Sequence, residues 1–66
     1  MPDKMTVGAR LKQLRGEKSR EEVAIAAGVT AQAISNYECG IRMPSDDIKC
    51  KLAAYFGVSV QEIFFD

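Results

Sequence analysis

Apolar side chains along this 66-residue chain recur at spacings of three and four. They never alternate at a spacing of two for long enough to make a strand. Val7, Leu11 and Leu14 fall on one helical face of "VGARLKQLR", a segment that follows Thr6. Val23 and Ala27 repeat in "REEVAIAA", Ile34 and Tyr37 in "AQAISNYEC", and Ile48, Leu52, Tyr55 and Phe56 mark a further stripe. Start and stop signals bracket these stripes. Thr6 is expected to open the first helix. Ser19 and Glu22 read as a capping box, in which the serine oxygen takes an orphan N–H and the glutamate reaches back. Thr30 caps the third helix, with Val29 and Ile34 at the staple positions around it. Pro44 and Ser45 open the fourth, and Asp46 and Asp47 meet the positive end of its dipole. Ser59 and Glu62 repeat the capping box, with Val58 and Ile63 as staple. Gly28 and Gly57 end the second and fourth helices, as residues able to take positive φ. The pattern predicts an all-α, compact five-helix domain spanning residues 1–66, with connections of two to six residues.

The second and third helices are joined by about three residues that include a glycine, which describes a helix-turn-helix over roughly residues 20–39. Its demands are met position by position. Val23 and Ala27 face inward from the first helix of the unit, and Ala24 is small where the second helix crosses closest. Gly28 makes the turn, Val29 fills the gap beneath it, and Ile34 and Tyr37 anchor the second helix. A plain helical hairpin needs only one or two of these features.

Composition narrows the function classes. A chain of this length buries a modest fraction of its surface, so its core is marginal and dimerisation would help it. The 47% hydrophobic and 27% charged residues describe a globular chain. No apolar run approaches the roughly 18 residues of a membrane span, and no signal peptide is evident, which predicts a cytoplasmic protein. Two cysteines without a histidine cannot supply a four-ligand zinc site, so no metal is expected. Cys39 and Cys50 are expected to be small, reduced packing residues. There is no histidine to activate a nucleophile and no phosphate-binding glycine motif, so neither an enzyme nor a cofactor is indicated. Phe64 and Phe65 are expected in the core or at a dimer seam. Net charge is zero, which argues against a generic polyanion binder. Residues 1–42 carry a net +2 and residues 43–66 a net −2, a mild polarisation with the basic end first.

The segments "GARLKQLR", "SREEVAIAAGVTAQAISNYECGIRMPS" and "LAAYFGVSVQEIF" resemble the Cro-and-repressor type, or Xre-type, helix-turn-helix regulators. The tract "SNYECGIRMPS" looks like that family's S-x-[aromatic]-E-x-G-x-R-x-P signature, with Glu38, Gly40, Arg42 and Pro44 in place. The resemblance covers nearly the whole chain. It implies a five-helix fold that binds operator DNA as a homodimer and regulates transcription, the last helix helping many relatives to dimerise. It also implies that Arg15 pairs with Glu38 and locks the first helix onto the third. Several positions depart from the pattern. The linker "GEKS" is about two residues shorter than usual and lacks the leucine that normally packs there, as in a short-linker branch of the family. Arg20 replaces a glutamine that commonly touches phosphate. Ile25 and Ala26 stand where polar residues are usual, which leaves Ile25 either exposed or covered by a partner. Asp46 and Lys49 occupy sites that are more often apolar.

In this docking mode the third helix lies in the major groove and its N-terminal part meets base edges. The outward positions are Thr30, Ala31, Gln32, Ser35 and Asn36. Gln32 is the leading base reader, because its amide can pair bidentately with adenine N6 and N7. Asn36 can do the same or hold a phosphate, Ser35 can donate or accept, and Ala31 and the Thr30 methyl can pack on a thymine methyl. Ala24, Gly28, Ile34 and Tyr37, with Arg15 and Glu38, are structural. Arg20, Arg42 and Lys12 are assigned to phosphate, Arg20 beside the free N–H groups that open the second helix. The expected function is sequence-specific binding of double-stranded DNA by a dimeric repressor, with no membrane or small-molecule partner. The alternative is a protein-interaction module on the same fold, such as an antitoxin or adaptor.

Overall fold

The computed structural model describes residues 2–65. Five helices follow one another: α1 (Lys4–Arg15), α2 (Arg20–Ala27), α3 (Ala31–Glu38), α4 (Asp46–Phe56) and α5 (Val60–Phe64). No strand occurs among the described residues. Each helix is opened by a side-chain oxygen that accepts the backbone N–H three residues on: Asp3 from Thr6 at 2.8 Å, Ser19 from Glu22, Thr30 from Ala33 and Ser59 from Glu62 at 3.1 Å, and Ser45 from Ile48 at 3.5 Å. Four of these caps are the expected ones.

The first is not. α1 begins at Lys4 rather than after Thr6, because the Asp3 carboxylate captures the Thr6 N–H and the Asp3 carbonyl accepts from Val7 at 3.0 Å. Thr6 therefore lies inside the first turn. The capping box at Ser19 is also half of what was expected. Its serine acts as a cap, but Glu22 Oε2 accepts from the Tyr55 hydroxyl at 3.1 Å, which ties α2 to α4. The connection between α3 and α4, residues 39–45, exceeds six residues because Ile41 and Arg42 turn back to donate to the Asn36 carbonyl before Pro44 is buried.

The stripes converge on one core. Val7 and Leu11 of α1, Val23, Ala24 and Ala27 of α2, Ile34 and Tyr37 of α3, Leu52 and Ala53 of α4, and Ile63 and Phe64 of α5 are all buried. α3 is held from two sides, by α1 and by α2, while α4 closes over α2 and α5 over α1 and α4. Gly8 sits at the tightest approach. A Cβ added there would lie 2.5 Å from the Glu38 carbonyl oxygen and 2.6 Å from that of Tyr37, so α1 can rest on the end of α3 only with glycine at this point.

Two expectations about side chains change. Cys39 and Cys50 are exposed free thiols, not packing residues. Cys39 follows the end of α3, and Cys50 lies two residues before buried Leu52, about half a helical turn away from the core face. Lys49, at a site more often apolar, places Nζ 5.5 Å from the Phe64 ring centre and 5.4 Å from that of Phe65. The same ammonium reaches Asp46 at 3.7 Å. Phe64 is buried and Phe65 half-buried.

Candidate nucleic-acid interface

The unit α2–turn–α3 is built from local chemistry. Gly28 takes φ 72°, where its N–H reaches the carbonyls at the end of α2 and the Val29 N–H bonds back to Ala24 at 3.0 Å. That chain reversal puts Thr30 at the start of α3, with its hydroxyl oxygen on the Ala33 N–H. The helix then has two unlike sides. Ile34, Tyr37 and Glu38 are buried, and Ala33 is partly buried against the core. Thr30 and Gln32 are exposed, and Ala31, Ser35 and Asn36 are half-exposed. Gln32 Nε2 donates to Asn36 Oδ1 at 3.1 Å, so the two amides are joined across one helical turn.

At the end of α3, Glu38 is a buried carboxylate with 2% of its side chain exposed and two arginines upon it. Arg15 grips it with both edges of its fork, Nε to Oε2 at 2.6 Å and Nη2 to Oε1 at 3.1 Å. Its Nη1 donates to the Lys18 carbonyl at 2.8 Å, fixing the short linker as well. The hydrogen bonds to Glu38 push the Arg15 guanidinium above its ordinary pKa, against the opposing effect of burial. Arg20 joins from α2 through Nε to Oε1 at 3.2 Å, yet 42% of its side chain stays exposed. One carboxylate thus connects α1, α2 and α3.

Beside this cluster lies an open depression of about 410 Å³ lined by Arg15, Ser19, Arg20, Glu21, Ala31, Gln32 and Ser35. It brings one expected phosphate ligand, Arg20, next to three expected base-facing residues. Asn36 is linked to that group through Gln32, and Arg42 is placed after α3 by its N–H on the Asn36 carbonyl at 3.3 Å. Lys12 is exposed on α1 and is not part of the depression's wall. Thr30, likewise outside the wall, is engaged as the cap of α3.

Sequence reasoning missed two residues that position this region. Gly8 sets the distance between α1 and α3, and its signal was a glycine in the middle of an amphipathic helix. Arg10 Nη1 donates to the carbonyls of Glu62 at 3.5 Å and Ile63 at 3.2 Å, satisfying acceptors in α5 and fixing that helix on α1. Its signal was faint, because one arginine on a helix rich in basic residues looks like the others. Among the described residues no group of three or more His, Cys, Asp or Glu is placed to hold a metal, and no helix is long and apolar enough to cross a membrane.

Comparison with known proteins gives this geometry its relatives. The helix-turn-helix family HTH_3 matches residues 11–63. No curated protein matches the sequence. Among solved structures, the restriction-modification controller protein C.AhdI from Aeromonas hydrophila is 30% identical, with a TM-score of 0.84 over 92% of this chain and 96% of its own. SinR, a master regulator for biofilm formation solved in complex with DNA, is 37% identical, with a TM-score of 0.77 over 86% of this chain and 95% of its own. The clp gene regulator ClgR from Corynebacterium glutamicum is 26% identical, with a TM-score of 0.83 over 91% of this chain and 66% of its own. The family match spans most of the chain and these relatives are regulators rather than enzymes, so the chain belongs to the Xre-type helix-turn-helix family of DNA-binding transcription regulators.

Proposed function

We propose that the protein is a sequence-specific repressor that binds its operator as a homodimer, with α3 of each protomer in the major groove. The observation that carries this reading is the outward side of α3. Gln32 and Ser35 present hydrogen-bonding groups without charge in one depression with the partly exposed Arg20, and Asn36 joins them through Gln32. Amides and hydroxyls can read base edges without charge, and basic residues flanking them can hold the phosphate backbone. The division of labour follows from that. Gln32 pairs with adenine, Asn36 and Ser35 contact neighbouring edges, and Ala31 and the Thr30 methyl pack on thymine. Arg20, Arg42 and Lys12 take phosphates. Two copies of α3 about 34 Å apart would read half-sites one turn apart, and occupancy of the operator blocks transcription.

Selection of bound duplexes from a random pool, followed by binding measurements across salt, tests the reading. Gln32→Ala is expected to cost about 1–3 kcal/mol at selected sites and little elsewhere. Affinity should fall steeply with salt as the phosphate contacts lose their counterion-release advantage. If Gln32, Ser35 and Asn36 can all become alanine with operator affinity unchanged, the groove-reading assignment is wrong. A second reading, a protein-interaction module on the same fold, draws on Ile25, which is 82% exposed on α2. That reading gains if selection enriches no sequence and Ile25→Ser abolishes the regulatory effect.

A further inference from the structure

The two amides on the outward side of α3 act as a unit. A lone glutamine amide is an ambiguous reader, since it offers one carbonyl oxygen and two N–H donors and rotates freely about its last bond. In the major groove it can turn an oxygen and an N–H to adenine, which presents N7 as acceptor and N6–H as donor. It can equally turn its NH₂ group to guanine, whose O6 and N7 both accept. In this structure one Gln32 N–H is already spent on Asn36 Oδ1 at 3.1 Å. What remains is the carbonyl oxygen and one N–H, an acceptor beside a donor. That set complements adenine and turns an oxygen toward guanine O6.

Asn36 is the fixed partner of the two. It is half-buried, and its backbone carbonyl accepts from both Ile41 at 3.0 Å and Arg42 at 3.3 Å, so the chain after α3 clamps it from behind. Gln32 is exposed and has the longer side chain, with more rotamer freedom to lose on docking. A tether formed before binding removes part of that loss and sets the plane of the amide.

We propose that Asn36 is a positioning residue that confines Gln32 to adenine and excludes guanine, an inference that rests on α3 being the groove-reading helix. The acceptor oxygen of Asn36 carries the effect. Asn36→Asp keeps that oxygen, and Asn36→Ala removes it.

The test uses the full chain and the operator selected from a random duplex pool. The base pair read by Gln32 is the one whose preference disappears in Gln32→Ala. Affinities are then compared for adenine and guanine at that pair. The unmodified protein should favour adenine by about ten- to a hundredfold. Asn36→Ala should reduce that ratio to a few-fold, while preferences at base pairs read by neither Gln32 nor Asn36 persist. Asn36→Asp should bind more weakly overall, through repulsion from phosphate, yet keep the adenine preference. If Gln32→Ala erases the preference but Asn36→Ala leaves the ratio intact, the tether plays no part and base reading by Gln32 stands. Loss of the ratio in Asn36→Asp equal to that in Asn36→Ala overturns the acceptor role. If Gln32→Ala erases no preference at any position, base reading by Gln32 falls, and this proposal falls with it.

Discussion

The two sides of α3 make unlike use of polar groups. Inward, Glu38 is charged, buried and bonded by two arginines from two other helices. Outward, Gln32, Ser35 and Asn36 are neutral and open to solvent to differing degrees, and the one side-chain bond among them is local. A charge withdrawn from water must be paired, so the inner side ties the fold together and tolerates little change. A neutral amide at the surface costs little to leave unpaired in the free protein, so the outer side is available for recognition. Eight residues thus carry stability on one side and candidate recognition on the other.

That contrast can be broken at the inner side first. Arg15→Ala leaves Glu38 buried with only the partly exposed Arg20. The loss should approach the ~3–5 kcal/mol typical of breaking a buried pair, at its lower end because Arg20 Nε still donates to Oε1. A denaturant titration showing unchanged stability would remove the triad from any role in holding α1 on α3.

Gly8→Ala should come next. The added methyl meets the carbonyls of Tyr37 and Glu38, so α1 must shift, at a cost of about 1–3 kcal/mol for overpacking. Thermal melting of the variant measures it, and a neutral result would mean that the two helices are not in firm contact.

On the outer side the triple change Gln32→Ala, Ser35→Ala, Asn36→Ala should move stability by no more than about 0.5 kcal/mol per site while operator binding is lost. A large drop in melting temperature would erase the distinction between the two sides, because these residues would then be structural too.

The smallest effect belongs to neither side and serves as a reference. The backbone and side-chain hydrogen bonds from Thr6 hold the Asp3 carboxylate below its usual pKa. A depressed carboxylate contributes stability above its unfolded value and loses it as pH falls through the folded one. Asp3→Asn keeps a capping oxygen that does not titrate. The variant's melting temperature should therefore lie slightly below that of the unmodified chain near neutrality, and the difference should close in acid, below the ordinary carboxylate range. Parallel curves throughout would show that the charge of the Asp3 carboxylate does not contribute.

Much of the architecture was legible because helix caps and stripes are short-range. Ser19, Thr30, Ser45 and Ser59 each bond three residues ahead, within one turn, and the sequence carries that relation directly. The miss at Thr6 has the same scale, since two capping residues three apart competed and the acid won. The partition of α3 into buried Ile34 and Tyr37 and outward Gln32, Ser35 and Asn36 also follows from periodicity. The Arg15–Glu38 pairing was legible only through resemblance to a family, because 23 positions separate the two residues.

The sequence by itself determined that this chain forms helices, where most of them start and stop, and which stripe of each turns inward. These depend on backbone hydrogen bonds and side-chain spacing within one or two turns. Tertiary structure alone decided that Arg20 would divide itself between solvent and Glu38, that Glu22 would leave its own cap for Tyr55, and that Gly8 would mark the closest approach of α1 to α3. Each of those depends on how far apart two helices settle and at what angle they cross. That distance and angle emerge when all the apolar stripes are buried at once, and no single stripe contains them.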